Sequence, residues 1–257
     1  MGVVNKLKTK DFVTLSGTFC GVFALVVAVY TTAFRFAFLF VFLSLVFDLF
    51  DGFVARKLDQ INELGKQLDS LSDAFCFAVV PSIIYFRIYT LETSHSAFSA
   101  HHPLVLLVPC FIFIAGGILR LAWFNIASEE SYTGLVTPLS AGFLLLYHML
   151  DYYSSVMTEG VTGFNVFVHY SVPFVLVFVG WLNVTEKLYY GKEIRKKQGV
   201  KNQFIFFAIF ITTTIILAIG YMESVVLLIL LLFLFLMIYL LKFIIEGYLN
   251  YRKLAGE

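Results

Sequence analysis

Charge is what this sequence has least of. Lysine, arginine, aspartate and glutamate make up 14% of its 257 residues, against 60% hydrophobic. That balance excludes a soluble globular domain, which needs far more polar surface to face water. The formal net charge is only +1, and no nucleic-acid partner is expected. Cysteine is scarce too. Cys20, Cys76 and Cys110 lie in separate apolar stretches, without the spacing of a disulfide framework or a thiolate metal site, and are read as small buried hydrophobes. Nor is a cleavable leader expected: Met1 to Lys10 reads as a short basic lead, and the apolar run after it is too long and has no small-residue cleavage site.

What the sequence has instead is a series of apolar runs near the ~20 residues a helix needs to cross the bilayer's hydrocarbon. Eight spans are expected, near 12–32, 35–56, 68–90, 104–125, 135–154, 164–184, 203–221 and 224–246. In lipid the backbone must satisfy its own hydrogen bonds, and these runs are too long and too uniformly apolar for barrel strands. The expected fold class is therefore an all-α polytopic membrane protein. With the amino terminus in the cytoplasm and eight crossings, every one of the 18 basic residues except Arg35 and Arg87 falls on the inner side, as the positive-inside rule requires.

Three regions follow from this pattern. Residues 1–186 form a six-helix catalytic transmembrane core, 187–203 a basic cytoplasmic loop, and 204–257 two additional helices with a short tail that buttress the bundle. The loop serves as a topology signal, with attraction to anionic headgroups as the alternative. The outer loops, 93–103 and 151–163, carry His95, His101 and His102, read as ordinary polar-loop residues, and Tyr152 and Tyr153, which suit an interfacial aromatic belt. His148 and His169 are read as isolated and structural. Asn183-Val-Thr185 has the letters of a glycosylation acceptor but falls on the inner side.

Against this background the stretch from 47 to 73, F-D-L-F-D-G-F-V-A-R-K-L-D-Q-I-N-E-L-G-K-Q-L-D-S-L-S-D, stands apart. Carboxylates at membrane depth are costly and persist for function. At roughly 100° per residue, Asp48, Asp51, Gly52 and Ala55 project to one side of a helix. Gly65, Asp69 and Asp73 follow at intervals of four on the next. Packed antiparallel, the two stripes face each other and offer oxygen ligands to hard divalent ions, Mg²⁺ or Mn²⁺. Gly52, Ala55 and Gly65 leave those faces bare of bulk, and Arg56 offers a planar fork to phosphate oxygens. Together these residues describe a diphosphate site at the cytoplasmic end of the hairpin.

The order D-x-x-D-G-x-x-A-R, eight residues, G-x-x-x-D-x-x-x-D resembles the signature of the CDP-alcohol phosphotransferase family, with every position filled. The resemblance implies a membrane enzyme that moves a phosphatidyl group from a CDP-activated lipid to an alcohol and releases CMP. Asp48, Asp51, Asp69 and Asp73 would hold two divalent ions, about 3.5–4 Å apart in such sites, and Asp73 would also take the proton from the attacking hydroxyl. Thr14, Asp48, Gly52, Ala55, Arg56 and Gly65 would bind the CDP moiety. Since no Ser-His or Cys-His pair is placed to form a covalent intermediate, direct displacement is expected. A homodimer is implied by the resemblance alone.

The fourth span ends G-I-L-R-L-A-W-F-N-I, followed by S-Y-T-G-L-V-T-P-L-S-A. This is similar to the phosphatidylserine synthase branch of the family, with Arg120, Asn125, Gly134, Leu135 and Pro138 on matching positions, and Val136 and Leu139 where proline and alanine are expected. An inward arginine suits a bidentate clamp on an amino acid's carboxylate, and Asn125 offers donors and acceptors to a polar headgroup. The implied acceptor is L-serine, and the donor CDP-diacylglycerol or CDP-archaeol. The alternatives are a sister enzyme using glycerol phosphate, inositol phosphate or choline, a snorkelling, structural Arg120, and, from another class, a cation transporter. A transporter would place its acids near the membrane midplane.

Overall fold

An apolar chain in lipid has only itself to hydrogen-bond with, and this one folds accordingly. The computed structural model describes residue 5 and residues 7–58, 63–91, 101–126, 133–157, 163–189 and 226–256. Eight helices run through them: α1 (Thr9–Tyr30), α2 (Phe34–Leu58), α3 (Glu63–Thr90), α4 (Pro103–Ile126), α5 (Thr137–Met157), α6 (Gly163–Tyr170), α7 (Val172–Val184) and α8 (Val226–Ala255). Among the described residues the only strand-like pairing is an isolated bridge between Thr133 and Tyr189. The first four helices are long and apolar enough to cross a membrane. The chain is an all-α polytopic membrane protein.

The central element is α3. Phe77, Val80, Ile84, Tyr85 and Tyr89 on it are almost wholly buried, and it packs against α1, α2, α4 and α5. Large apolar side chains elsewhere point outward, among them Phe12, Phe19, Phe23 on α1 and Leu104, Phe111, Trp123 on α4. An outward apolar surface of this extent suits lipid, not water. The inner face of α1 carries small residues instead, Gly17, Gly21, Ala24 and Ala28, which let helices approach where the hydrophobic effect cannot drive them together. The same device closes α4 on α7: a Cβ on Gly116 would strike the Gly180 carbonyl oxygen.

Three details depart from the expected spans. First, α3 contains a π-helical turn at Ala74–Val79, directly after Asp73. Such single wide turns collect at functional sites, and an unbroken apolar run gives no sign of them. Second, the span expected at 164–184 is two helices, interrupted at Ser171, with proline in the first turn of α7. Third, α8 continues well past 246, to Ala255, and packs on α5. The span expected at 203–221 lies outside the described residues, and the basic loop expected at 187–203 is described only to Tyr189.

The turn between α4 and α5 is pinned to the end of α7. Leu135 N–H donates to the Leu182 carbonyl at 2.8 Å and Gly134 N–H to that of Leu188 at 3.0 Å. Gly134 adopts φ of 80°, a left-handed conformation that favours glycine, with Asn183 pressed against the place a Cβ would occupy. Ser140 Oγ donates to Asn183 Oδ1, so the asparagine of the acceptor-like triplet is a buried packing residue. This clamp fixes where α5 begins, and with it Thr137, which borders the site.

Candidate active site

Only residues 59–62 separate α2 from α3, so the acidic stripes of the two helices meet. One carboxylate oxygen from each of Asp48, Asp51 and Asp69 lies within 4.8 Å of the others. Asp73 joins through a side-chain hydrogen bond with Asp48. Four carboxyl groups drawn this close, with Asp51 buried and Asp48, Asp69 and Asp73 half-buried, repel one another unless cations or shared protons intervene. The donors are all oxygen, which suits a hard divalent ion. By donor chemistry and by spacing, these residues fit the Mg²⁺ or Mn²⁺ expected of them.

The surroundings hold that set in place. Thr14 Oγ1 donates to Asp51 Oδ2 at 2.6 Å, and the Gly52 N–H also donates to Asp51. Ligating carboxylates are oriented by outer hydrogen bonds of this kind. One turn deeper, Thr18 Oγ1 and Ser72 Oγ lie 2.7 Å apart and tie α1 to α3. Thr14 thus reaches a carboxylate of the cluster. Two cations act on the cluster: Lys10 on Asp51 and Asp69, and Arg120 on Asp73. Arg120 Nη1 also donates to Thr137 Oγ1 at 3.1 Å.

The remaining expected residues divide. Gly52 and Ala55 sit half-buried on α2 beside Asp51. Arg56 follows them, and its side chain lies outside the described residues. Gly65 is buried but its face is not bare, because Lys10 and Asp11 occupy the space beside it. Asn125, at the end of α4, accepts from Ser70 Oγ at 3.1 Å, while its backbone carbonyl accepts from Lys66 Nζ at 3.3 Å. It links α4 to the stretch of α3 that carries Asp69. Lys10 was not anticipated at the site. The available signal was its spacing of four from Thr14, which sets both on one face of α1.

A model of the CDP-alcohol phosphatidyltransferase family matches residues 9–239. The chain belongs to this family. Two of the relatives are named CDP-diacylglycerol–serine O-phosphatidyltransferase: one from Methanocaldococcus jannaschii, 31% identical over 46% of this chain and 52% of its own length, and one from Bacillus subtilis, 29% identical over 48% and 64%. An archaetidylserine synthase from Methanothermobacter thermautotrophicus is 32% identical over 44% of this chain and 46% of its own length. The chain thus spans 46–64% of the length of these three relatives.

This family member also buries a second polar cluster that the sequence did not reveal. His148 and His169, read as isolated, and His101, read as a polar-loop residue, converge with Tyr89 and Asp151. His169 Nδ1 lies 3.3 Å from Asp151 Oδ2. The His101 and His169 rings are 4.9 Å apart, and His148 meets Tyr89 edge-on at 6.2 Å. His101 N–H donates to the Tyr89 carbonyl at 2.8 Å, which fastens the start of α4 to the end of α3 and draws the imidazole inward. Desolvation pushes the His101 ring below the usual histidine range, and His169 adds to the effect while Asp151 opposes it. His102 stays exposed, and His95 lies outside the described residues. His169→Ala should remove a hydrogen-bonding partner of the buried Asp151 carboxylate and cost about 2 kcal/mol of stability. The unfolding midpoint in detergent measures this, and an unchanged midpoint would contradict a structural role.

Proposed function

We propose that the chain transfers a phosphatidyl group from a CDP-activated lipid to the hydroxyl of L-serine, giving phosphatidylserine, or its archaeal-lipid counterpart, and CMP. The observation that carries this reading is the cluster of Asp48, Asp51, Asp69 and Asp73 formed between α2 and α3. The names of the relatives favour serine as acceptor and leave both kinds of lipid donor open. In the reaction the serine oxygen forms a bond to the phosphorus bearing the lipid, the bond from that phosphorus to the oxygen of CMP breaks, and Asp73 receives the hydroxyl proton. Divalent ions held by the four aspartates would neutralise the diphosphate and polarise its oxygens. Gly52 and Ala55 leave room for the nucleotide, with Arg56 on its phosphates. Arg120 and Asn125 receive the acceptor, Arg120 through the serine carboxylate. The inner-side bias of the basic residues supports a cytoplasmic active site and amino terminus. Division into a six-helix core and two added helices, and assembly as a homodimer, belong to the same proposal.

The test is a panel of alcohols offered with radiolabelled CDP-diacylglycerol or CDP-archaeol in reconstituted vesicles, scored by the lipid produced. Serine should yield product, chelator should stop turnover, and Mg²⁺ or Mn²⁺ should restore it. A product formed only with glycerol phosphate, inositol phosphate or choline would overturn the acceptor. Metal-independent turnover would overturn the assignment of the aspartates.

A further inference from the structure

We propose that Lys10 is a diphosphate-binding residue, placing a point positive charge at the α1 side of the carboxylate cluster. The inference rests on the reading of that cluster as a nucleotide-diphosphate site.

A lysine that only marks topology remains in water. Lys10 does not: it is 8% exposed, whereas Lys8 and Thr9 before it are more open. A buried ammonium is costly and is retained where something anionic uses it. Its ammonium pairs with the Asp11 carboxylate at 3.4 Å. Its charge acts on Asp51 and Asp69, and the Thr14 hydroxyl that orients Asp51 also lies 3.3 Å from the Lys10 carbonyl oxygen.

Gly65 supplies the independent observation. A methyl group there would come 2.6 Å from both Lys10 Cε and Asp11 Oδ1 and closer still to Lys10 Nζ. The glycine on α3 leaves the room in which the ammonium and its partner carboxylate lie. A cation set among metal-binding carboxylates opposes metal loading, since like charges repel, so metal binding alone gives no reason to place one there. Once divalent ions cancel the four carboxylates, an incoming diphosphate brings negative charge that the set does not neutralise. Lys10 neutralises part of it, as a compact charge that complements the flat fork expected of Arg56.

Two variants and two probes test this in the full-length protein in detergent. CDP binding is measured at saturating Mn²⁺, and Mn²⁺ binding is measured without nucleotide by electron paramagnetic resonance. Lys10→Met should weaken CDP binding roughly tenfold or more while leaving Mn²⁺ binding as tight or tighter. Gly65→Ala, which displaces the ammonium without removing it, should give the same loss. The double variant should be no worse than Lys10→Met alone, since both changes remove one interaction. Unchanged CDP binding in Lys10→Met overturns the proposal, as does weakened Mn²⁺ binding, which would make Lys10 a support for the carboxylates. Additive losses in the double variant overturn the link to Gly65. If the unaltered protein fails to bind CDP at all, the reading of the whole site falls, and this inference with it. Unfolding midpoints of the variants separate these outcomes from misfolding.

Discussion

Asp69→Asn is expected to reduce serine-dependent CMP release by roughly 10³-fold, about 4 kcal/mol of barrier, and to abolish tight Mn²⁺ binding, with the protein still folded. The argument is geometric. Asp48 and Asp51 share one helix, and Asp69 is the α3 residue whose carboxylate comes within 4.8 Å of both. Removing its charge leaves Asp73 as the one α3 carboxylate among the four acids, too few charged oxygens for a hard ion that takes about six. Asparagine keeps the size of the side chain and the helix around it, and it relieves part of the repulsion among the acids. The folded state should therefore be no less stable, which makes loss of activity interpretable. Mn²⁺ titration, turnover and the unfolding midpoint measured on one preparation check all three parts. Full activity in this variant would remove the metal assignment and the reaction built on it.

The sequence made this cluster legible because spacing alone determines which helical faces carry acid. Asp48 and Asp51, then Asp69 and Asp73, need only a helix on each side and a short turn to meet, and all three were readable. Other parts of the site were hidden for separate reasons. Lys10 belongs to a basic lead whose letters are those of any topology signal, and only its burial distinguishes it. Gly65 was legible as a small residue, but its neighbours were not: Lys10 and Asp11 lie in the space beside it. The π turn after Asp73 follows from no letter in A-F-C-F-A-V. The polar cluster of Tyr89, His101, His148, Asp151 and His169 draws on four separate stretches of chain. Each of its members looks alone in sequence, and only tertiary packing assembles them. The break at Ser171 had a visible cue in Pro173, but a helix in lipid often carries proline without stopping.

Arg120→Ala is expected to raise the serine concentration needed for half-maximal turnover by roughly 100-fold, the equivalent of about 3 kcal/mol for two charge-assisted hydrogen bonds, with a much smaller effect on the CDP-lipid requirement. Two positions of the guanidinium support an acceptor role. Its charge acts on Asp73, the proposed proton acceptor, and Nη1 donates to Thr137 Oγ1, a fully buried hydroxyl at the start of α5. That bond holds one edge of the guanidinium plane and leaves a defined orientation for a carboxylate to meet. An arginine that merely snorkels to headgroups has no reason to stand between the acid cluster and a buried threonine. Arg120→Lys sharpens the test. It keeps a positive charge near Asp73, so Mn²⁺ binding should be preserved, but it lacks the paired donors that match a carboxylate, so the serine requirement should remain high. If alanine raises both substrate requirements equally, or if lysine restores serine use in full, Arg120 acts on the acid cluster alone, and the acceptor carboxylate must be held elsewhere.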